Sequence, residues 1–223
     1  MSLPLRTSTA ALLVLSLLTL GACDQQPVSP DAAPALNGLP QSPPGREDAG
    51  FVTFTYSGDE SGRFFALGAP TGFDGTAPTG ERFAAGRHYV LGSPPFEHLG
   101  TTVTASDRSG GGLLDQLHLQ FPGPLQTGTY TLNSCGRGMP FCPVVNLVFD
   151  VDPSVDGGGA QARYYSLTSG TITVESVENG RVTGTFSGTA VQYYPNEGAG
   201  SEIVITDGRF DVPVTEVDLT QQG

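Results

Sequence analysis

The chain contains no lysine; all ten of its basic residues are arginine. That absence removes Ser-Lys catalysis, Schiff-base chemistry and the P-loop phosphate cradle, each of which needs an ε-amino group. Tryptophan is absent too, which takes away the largest ring for stacking against sugars. The three histidines, His88, His98 and His118, include no pair at i,i+2 or i,i+4. Neither a GxSxG nucleophile elbow nor an HExxH zinc helix occurs. Beyond residue 22 no stretch carries a 3.6-residue apolar period, so helices are not expected. Positive charge is scarce overall: 22 acidic residues against ten basic ones leave a formal net charge of −12. A field of that sign disfavours nucleic acid and anionic lipid surfaces as partners. A lysine-free acidic surface fits high-salt solubility and a GC-rich genome equally well.

Cysteine is nearly as scarce, and its three positions are informative. Cys23 ends a segment in which Arg6 is the one charge and ALLVLSLLTL, residues 11–20, is continuously rich in apolar residues. That run has the length of a signal-peptide core and is well short of the roughly 20 residues that span a bilayer. Leu20, Gly21, Ala22 and Cys23 resemble the lipobox of bacterial lipoproteins: a large residue, two small ones, then cysteine. The resemblance implies cleavage before Cys23, a diacylglyceryl group on its sulfur and further acylation of the new amino terminus. Residues 1–22 are then the signal peptide. Two or three acyl chains, at about 0.8 kcal/mol per buried CH₂, anchor far more firmly than one. The expected location is the bacterial cell envelope. Asp24 marks inner-membrane retention in enteric members of the family, but not in every lineage, and the outer membrane, on its periplasmic or exposed side, is the favoured expectation.

Residues 23–50 read as a linker. Prolines at 27, 30, 34, 40, 43 and 44 interrupt it, and no apolar periodicity offsets the entropy of ordering it. Residues 51–217 form one β-domain with enough length for a sizeable core, and 218–223 read as a flexible tail.

Within that domain, short alternating runs are punctuated by Gly, Pro, Asn and Asp. The pattern predicts an all-β fold, an antiparallel β-sandwich or alternatively a β-barrel. LDQLHLQF, residues 114–121, alternates most cleanly, with Leu117, Leu119 and Phe121 on one face and Gln116, His118 and Gln120 on the wet one. Two hairpins are expected. Around Asn179-Gly180, a three-residue loop with a G1 bulge opposes Ile172 to Phe186, Val174 to Gly184 and Ser176 to Val182. With Cys23 assigned to lipid, Cys135 and Cys142 remain to pair as a disulfide in an oxidising compartment. Pairing them as a hairpin opposes Leu132 to Val145 and Tyr130 to Leu147.

Candidate sites are few. Asp150, Asp152 and Asp156 in DVDPSVDGGG offer carboxylates to a hard cation such as calcium, though the central glycine of an EF-type loop is missing. A zinc or general-base site would need the fold to gather the histidines. The tyrosine pairs at 164, 165 and 193, 194 put one ring of each pair outward; Tyr165 and Tyr194 are the expected ligand contacts. Asp115, Glu175 and Asp207 are the carboxylates on which an acid-base hydrolase would draw. No motif requires a cofactor.

The second half also resembles a family of uncharacterised β-rich lipoproteins common in Bacteroidota. Gly128 to Tyr130, Ser169 to Thr173, Gly184 to Ser187 and Thr206 to Asp211 carry the match, in the family's order of GTY, SGTITI, GTFSF and a closing TDGRFD. The family implies a β-rich fold and an envelope address, with no activity attached. Gly188 stands where members often carry a large apolar residue, which implies a thin spot in the core. The resulting expectation is a lipid-anchored, non-enzymatic binding or assembly module whose partner is an envelope protein, peptide or glycan. A carboxylate-based hydrolase or glycan-processing enzyme and a structural acidic surface protein are the alternatives.

Overall fold

The computed structural model describes residues 49–68, 83–91, 97–108, 110–135, 141–155, 158–193 and 200–222. Cys23 and the segments expected to be a signal peptide and, as far as residue 48, a linker lie outside the described residues, as do Asp156 and Tyr194. Among the described residues ten strands are formed: β1 (Gly50–Gly58), β2 (Gly62–Gly68), β3 (Phe83–Val90), β4 (His98–Arg108), β5 (Leu114–Pro122), β6 (Gly128–Thr131), β7 (Val144–Val151), β8 (Arg163–Glu178), β9 (Arg181–Tyr193) and β10 (Glu202–Asp218). They make an all-β, sandwich-like fold from one continuous sheet. Every ladder is antiparallel except that of β10 with β3.

Following the pairings from β3 through β4, β5, β7, β8, β9 and β10 leads back to β3. β1 and β2 extend the sheet from β10. Closing the pairing in this way leaves few open edges to template aggregation. The parallel ladder that closes it runs over Val214 to Asp218, so the expected flexible tail from 218 is instead tied down: Asp218 pairs with Val90 and caps a 3₁₀ turn over Leu219–Gln222 through the Thr220 amide.

Period-two alternation aims one face of each strand at a common core. Val52 and Phe54 of β1, Leu117, Leu119 and Phe121 of β5, and Leu147 and Phe149 of β7 are all buried. Phe54 stacks on Phe64, with centroids 4.9 Å apart, and meets the edge of Phe186 at 5.8 Å.

Sequence reading breaks β8 before Gly170 and β10 at Gly208; both strands run through. Each bends there, with register shifts between Leu167 and Ser169 and between Ile205 and Gly208. Gly170 and Gly188 face each other across β8 and β9. A Cβ on Gly188 would lie 2.0 Å from the Ser169 carbonyl, and one on Gly170 2.0 Å from that of Ser187. Gly188 is therefore a close backbone contact, and the expected thin spot is filled by main chain.

Both expected hairpins are revised. Asn179 and Gly180 both have positive φ, 52° and 71°, and form a two-residue turn that pairs Glu178 with Arg181 and Val177 with Val182. This is the primed geometry that matches strand twist. The extra residue sits instead at a bulge beside Glu175, beyond which Val174 meets Gly184 and Ile172 meets Phe186 as expected. The second revision concerns β6 and β7, which do not pair. They lie end to end along β8: Thr131 opposes Thr171 and Asn146 opposes Ser166. The Cys135–Cys142 disulfide closes the excursion between them. The Asn133 side chain bridges the gap by donating to the carbonyls of Leu167 and Thr168.

Candidate functional site

At one end of the core, four strands deliver charged and aromatic groups to a single cluster. Arg163, the first residue of β8, donates from Nε and Nη2 to Asp150, at 3.1 and 2.6 Å, and pairs through Nη1 with Glu60. Tyr165 donates its hydroxyl to the same Glu60, at 3.1 Å. Glu60 lies in the β1–β2 turn, so these bonds clamp that turn against β8. Asp150 adopts positive φ, 57°, at a bulge in β7. Its freed amide donates to the Asp115 carboxylate at 3.0 Å, which meets the requirement that a half-buried N–H find a partner.

Beneath the ions lie rings. Tyr56 stacks on Phe149 at 5.1 Å, Phe149 meets Tyr165 edge to face at 5.6 Å, and the Arg163 guanidinium sits 5.7 Å over Phe149. Burial works against the charge on Arg163, but hydrogen bonds and charge from Glu60 and Asp150 more than offset it and hold the guanidinium firmly protonated. Burial raises the Asp115 carboxyl above its ordinary range; the Asp150 amide opposes the shift, and the charges of Asp150 and Asp107 reinforce it. Tyr56 is likewise raised, by burial first and then by Asp115 and Glu60.

Several expectations are corrected here. Tyr165 is not an exposed contact: it is 1% exposed, because its inward register opposes Leu147. The outward rings are Tyr164 and Tyr193, 40% and 52% exposed and directly opposed across β8 and β9. Asp150 is committed to Arg163, and Asp152 accepts from the amide and hydroxyl of Ser154 in an exposed turn. Among the described residues no three His, Cys, Asp or Glu side chains gather to hold a metal. Asp115, Glu175 and Asp207 are not brought together: Asp115 joins the Arg163 cluster, Glu175 sits at the bulge near the far end of β8, and Asp207 lines a shallow groove with Thr171 and Arg209.

The histidines divide. His118 is on the outward face of β5, as expected, but partly covered, and burial lowers its pKa. His88 and His98 meet at the opposite end of β4 from the Arg163 cluster. His88 is buried, with Nδ1 2.9 Å from Thr101 Oγ1 and Nε2 2.9 Å from His98 Nδ1. Burial and then the His98 charge lower the His88 pKa. Sequence reading missed Glu60 and Arg163 altogether; no local motif marks them, since their sequence separation exceeds any spacing rule.

Compared with known proteins, the chain matches no family model, no curated protein and no solved structure.

Proposed function

We propose that this is a lipid-anchored envelope protein whose β-domain is a non-enzymatic binding or assembly module, held off the membrane by residues 23–50. The lipobox supports the anchor. The observation that carries the module reading is that the Arg163 cluster satisfies itself. A general acid or base must offer its proton site to substrate, whereas Glu60 and Asp150 are bound to Arg163 and Asp115 is bound to a backbone amide. Among the described residues, the outer face of β8 and β9 offers a surface to a partner. There the opposed Tyr164 and Tyr193 rings supply apolar contact area with polar tips, suited to an envelope protein, peptide or glycan.

A soluble Cys23→Ser chain should co-sediment with the isolated cell wall and envelope fraction of the source cells. Replacing both outward rings, Tyr164→Ser with Tyr193→Ser, should abolish this, and Asp115→Asn should leave it intact. Failure of the unmodified surface to co-sediment would overturn the reading. The second reading, a carboxylate hydrolase, draws on one observation, the raised and half-buried Asp115. Loss of co-sedimentation in Asp115→Asn alone would favour it.

A further inference from the structure

His88 and His98 sit ten residues apart on adjacent strands, and regular alternation would send them to opposite faces of the sheet. β4 aims Thr101, Val103 and Ala105 inward, so His98 belongs by parity to the outside. A register shift alters this. Tyr89 pairs with Gly100 but Val90 pairs with His98, so one extra residue on β4 is accommodated between them. Bulges of this kind re-aim side chains. Here the bulge carries His98 to the face that holds His88, and the two ring nitrogens lie 2.9 Å apart, joined by a hydrogen bond that a bound ion would replace.

The other edge of the His88 ring is fixed from within the protein. Thr101, fully buried, places its hydroxyl 2.9 Å from Nδ1. In the tautomer whose Nδ1–H donates to that hydroxyl, the lone pair of Nε2 faces outward, toward Nδ1 of His98. Metal-binding histidines are oriented by the same kind of partner on the nitrogen that does not bind. His98 is exposed, so the pair is open to solvent on that side. Glu216 lies opposite His88 in the β10–β3 ladder and adds negative charge nearby.

We propose that His88 Nε2 and His98 Nδ1 form a two-histidine chelate for one divalent transition-metal ion that favours imidazole nitrogen, namely zinc, nickel or copper(II), with water completing the coordination shell. Imidazole selects these ions over calcium and magnesium, which want oxygen ligands. Thr101 is a positioning residue, and the bound ion cross-links β3 to β4 at the end of the sheet opposite Arg163.

The test is titration of the purified full chain with zinc or nickel chloride by calorimetry, alongside EPR of the copper(II) form. One equivalent should bind, with superhyperfine splitting from two imidazole nitrogens, and excess zinc should raise Tm by mass action. His98→Gln keeps a polar group against His88 and should lose the two-nitrogen signature and weaken binding by more than about tenfold. Thr101→Val should weaken it by about 10 to 100-fold, the cost of losing an orienting partner, and His118→Ala should bind as the native chain does. Calcium and magnesium should leave Tm unchanged. Absence of one-equivalent binding, or native binding and an unchanged zinc-induced Tm shift in His98→Gln, would overturn the proposal.

Discussion

Substituting Gly184 by alanine tests the packing of the longest ladders. Gly184 of β9 lies between Val174 of β8 and Phe210 of β10, and the Phe210 ring covers it. An added Cβ would fall 2.1 Å from the Thr173 carbonyl oxygen and 2.4 Å from Phe210 Cζ. The ring is buried and hemmed in, and the carbonyl belongs to a hydrogen-bonded strand, so neither neighbour yields freely. Overpacking of this sort costs about 1 to 3 kcal/mol. Against it stands the reduced entropy of the unfolded chain, which favours alanine by about 0.4 to 1 kcal/mol. The steric term wins, by about 1 to 2 kcal/mol. For a domain of this size the loss lowers Tm by about 2 to 8 °C, readable by calorimetry or circular dichroism at pH 7. Phe210→Leu in the same chain should relieve part of the clash, giving a coupling above about 0.5 kcal/mol in a double-mutant cycle. A Tm that rises in Gly184→Ala, or additive effects in the cycle, would refute the packing argument.

Other outcomes follow from the charged end and the disulfide. Arg163→Met leaves Glu60 and Asp150 without their counterion. Because the pair is about one third exposed, the cost is a screened value between surface and buried cases, about 1 to 3 kcal/mol; an unchanged denaturation midpoint would argue against the clamp. Asp115 has a folded pKa raised above its unfolded value of about 3.8, so its charge opposes folding at neutral pH and the penalty disappears once both states are protonated. Asp115→Asn should therefore melt above the native chain at pH 7 and level with it below about pH 3.8, where an advantage that persisted would contradict the assigned cause. His88 and His118 carry lowered pKa values, so their contribution is complete above the unfolded value of about 6.5 and falls as pH drops below it. His118→Gln should flatten the melting curve between pH 7 and 5, and an identical slope would count against burial at that site. Cys135→Ser with Cys142→Ser opens a small ring between residues seven apart and should cost roughly 2 to 3 kcal/mol, checked by urea midpoint with and without reductant.

Strand positions and inward faces were legible wherever period-two alternation was intact, as in β5. The disulfide was legible from the cysteine count. Two kinds of feature were not. Glycine reads as punctuation, yet Gly170 and Gly208 mark bends inside long strands, because a bulge beside each lets the ladder turn without stopping. Pairing partners far apart in sequence are also invisible to local pattern: β6 takes β8 over the nearer β7, and β10 closes on β3 in parallel. The tyrosine reading failed on parity. Tyr164 and Tyr165 must face opposite ways, but which one faces in depends on the register with β7, and that register is set by Leu147 meeting Tyr165. The Arg163 cluster draws on residues from Tyr56 to Tyr165 and needed the fold to assemble it.

The proposal that most governs what this domain can reach is its anchor. Intact-mass analysis of the protein extracted from membranes bears on it directly. The account predicts a chain beginning at Cys23 and carrying the mass of two or three acyl chains, and a Cys23→Ser chain that carries no such added mass. A native chain that retains residues 1–22, or one that starts at Cys23 with no added mass, would contradict it.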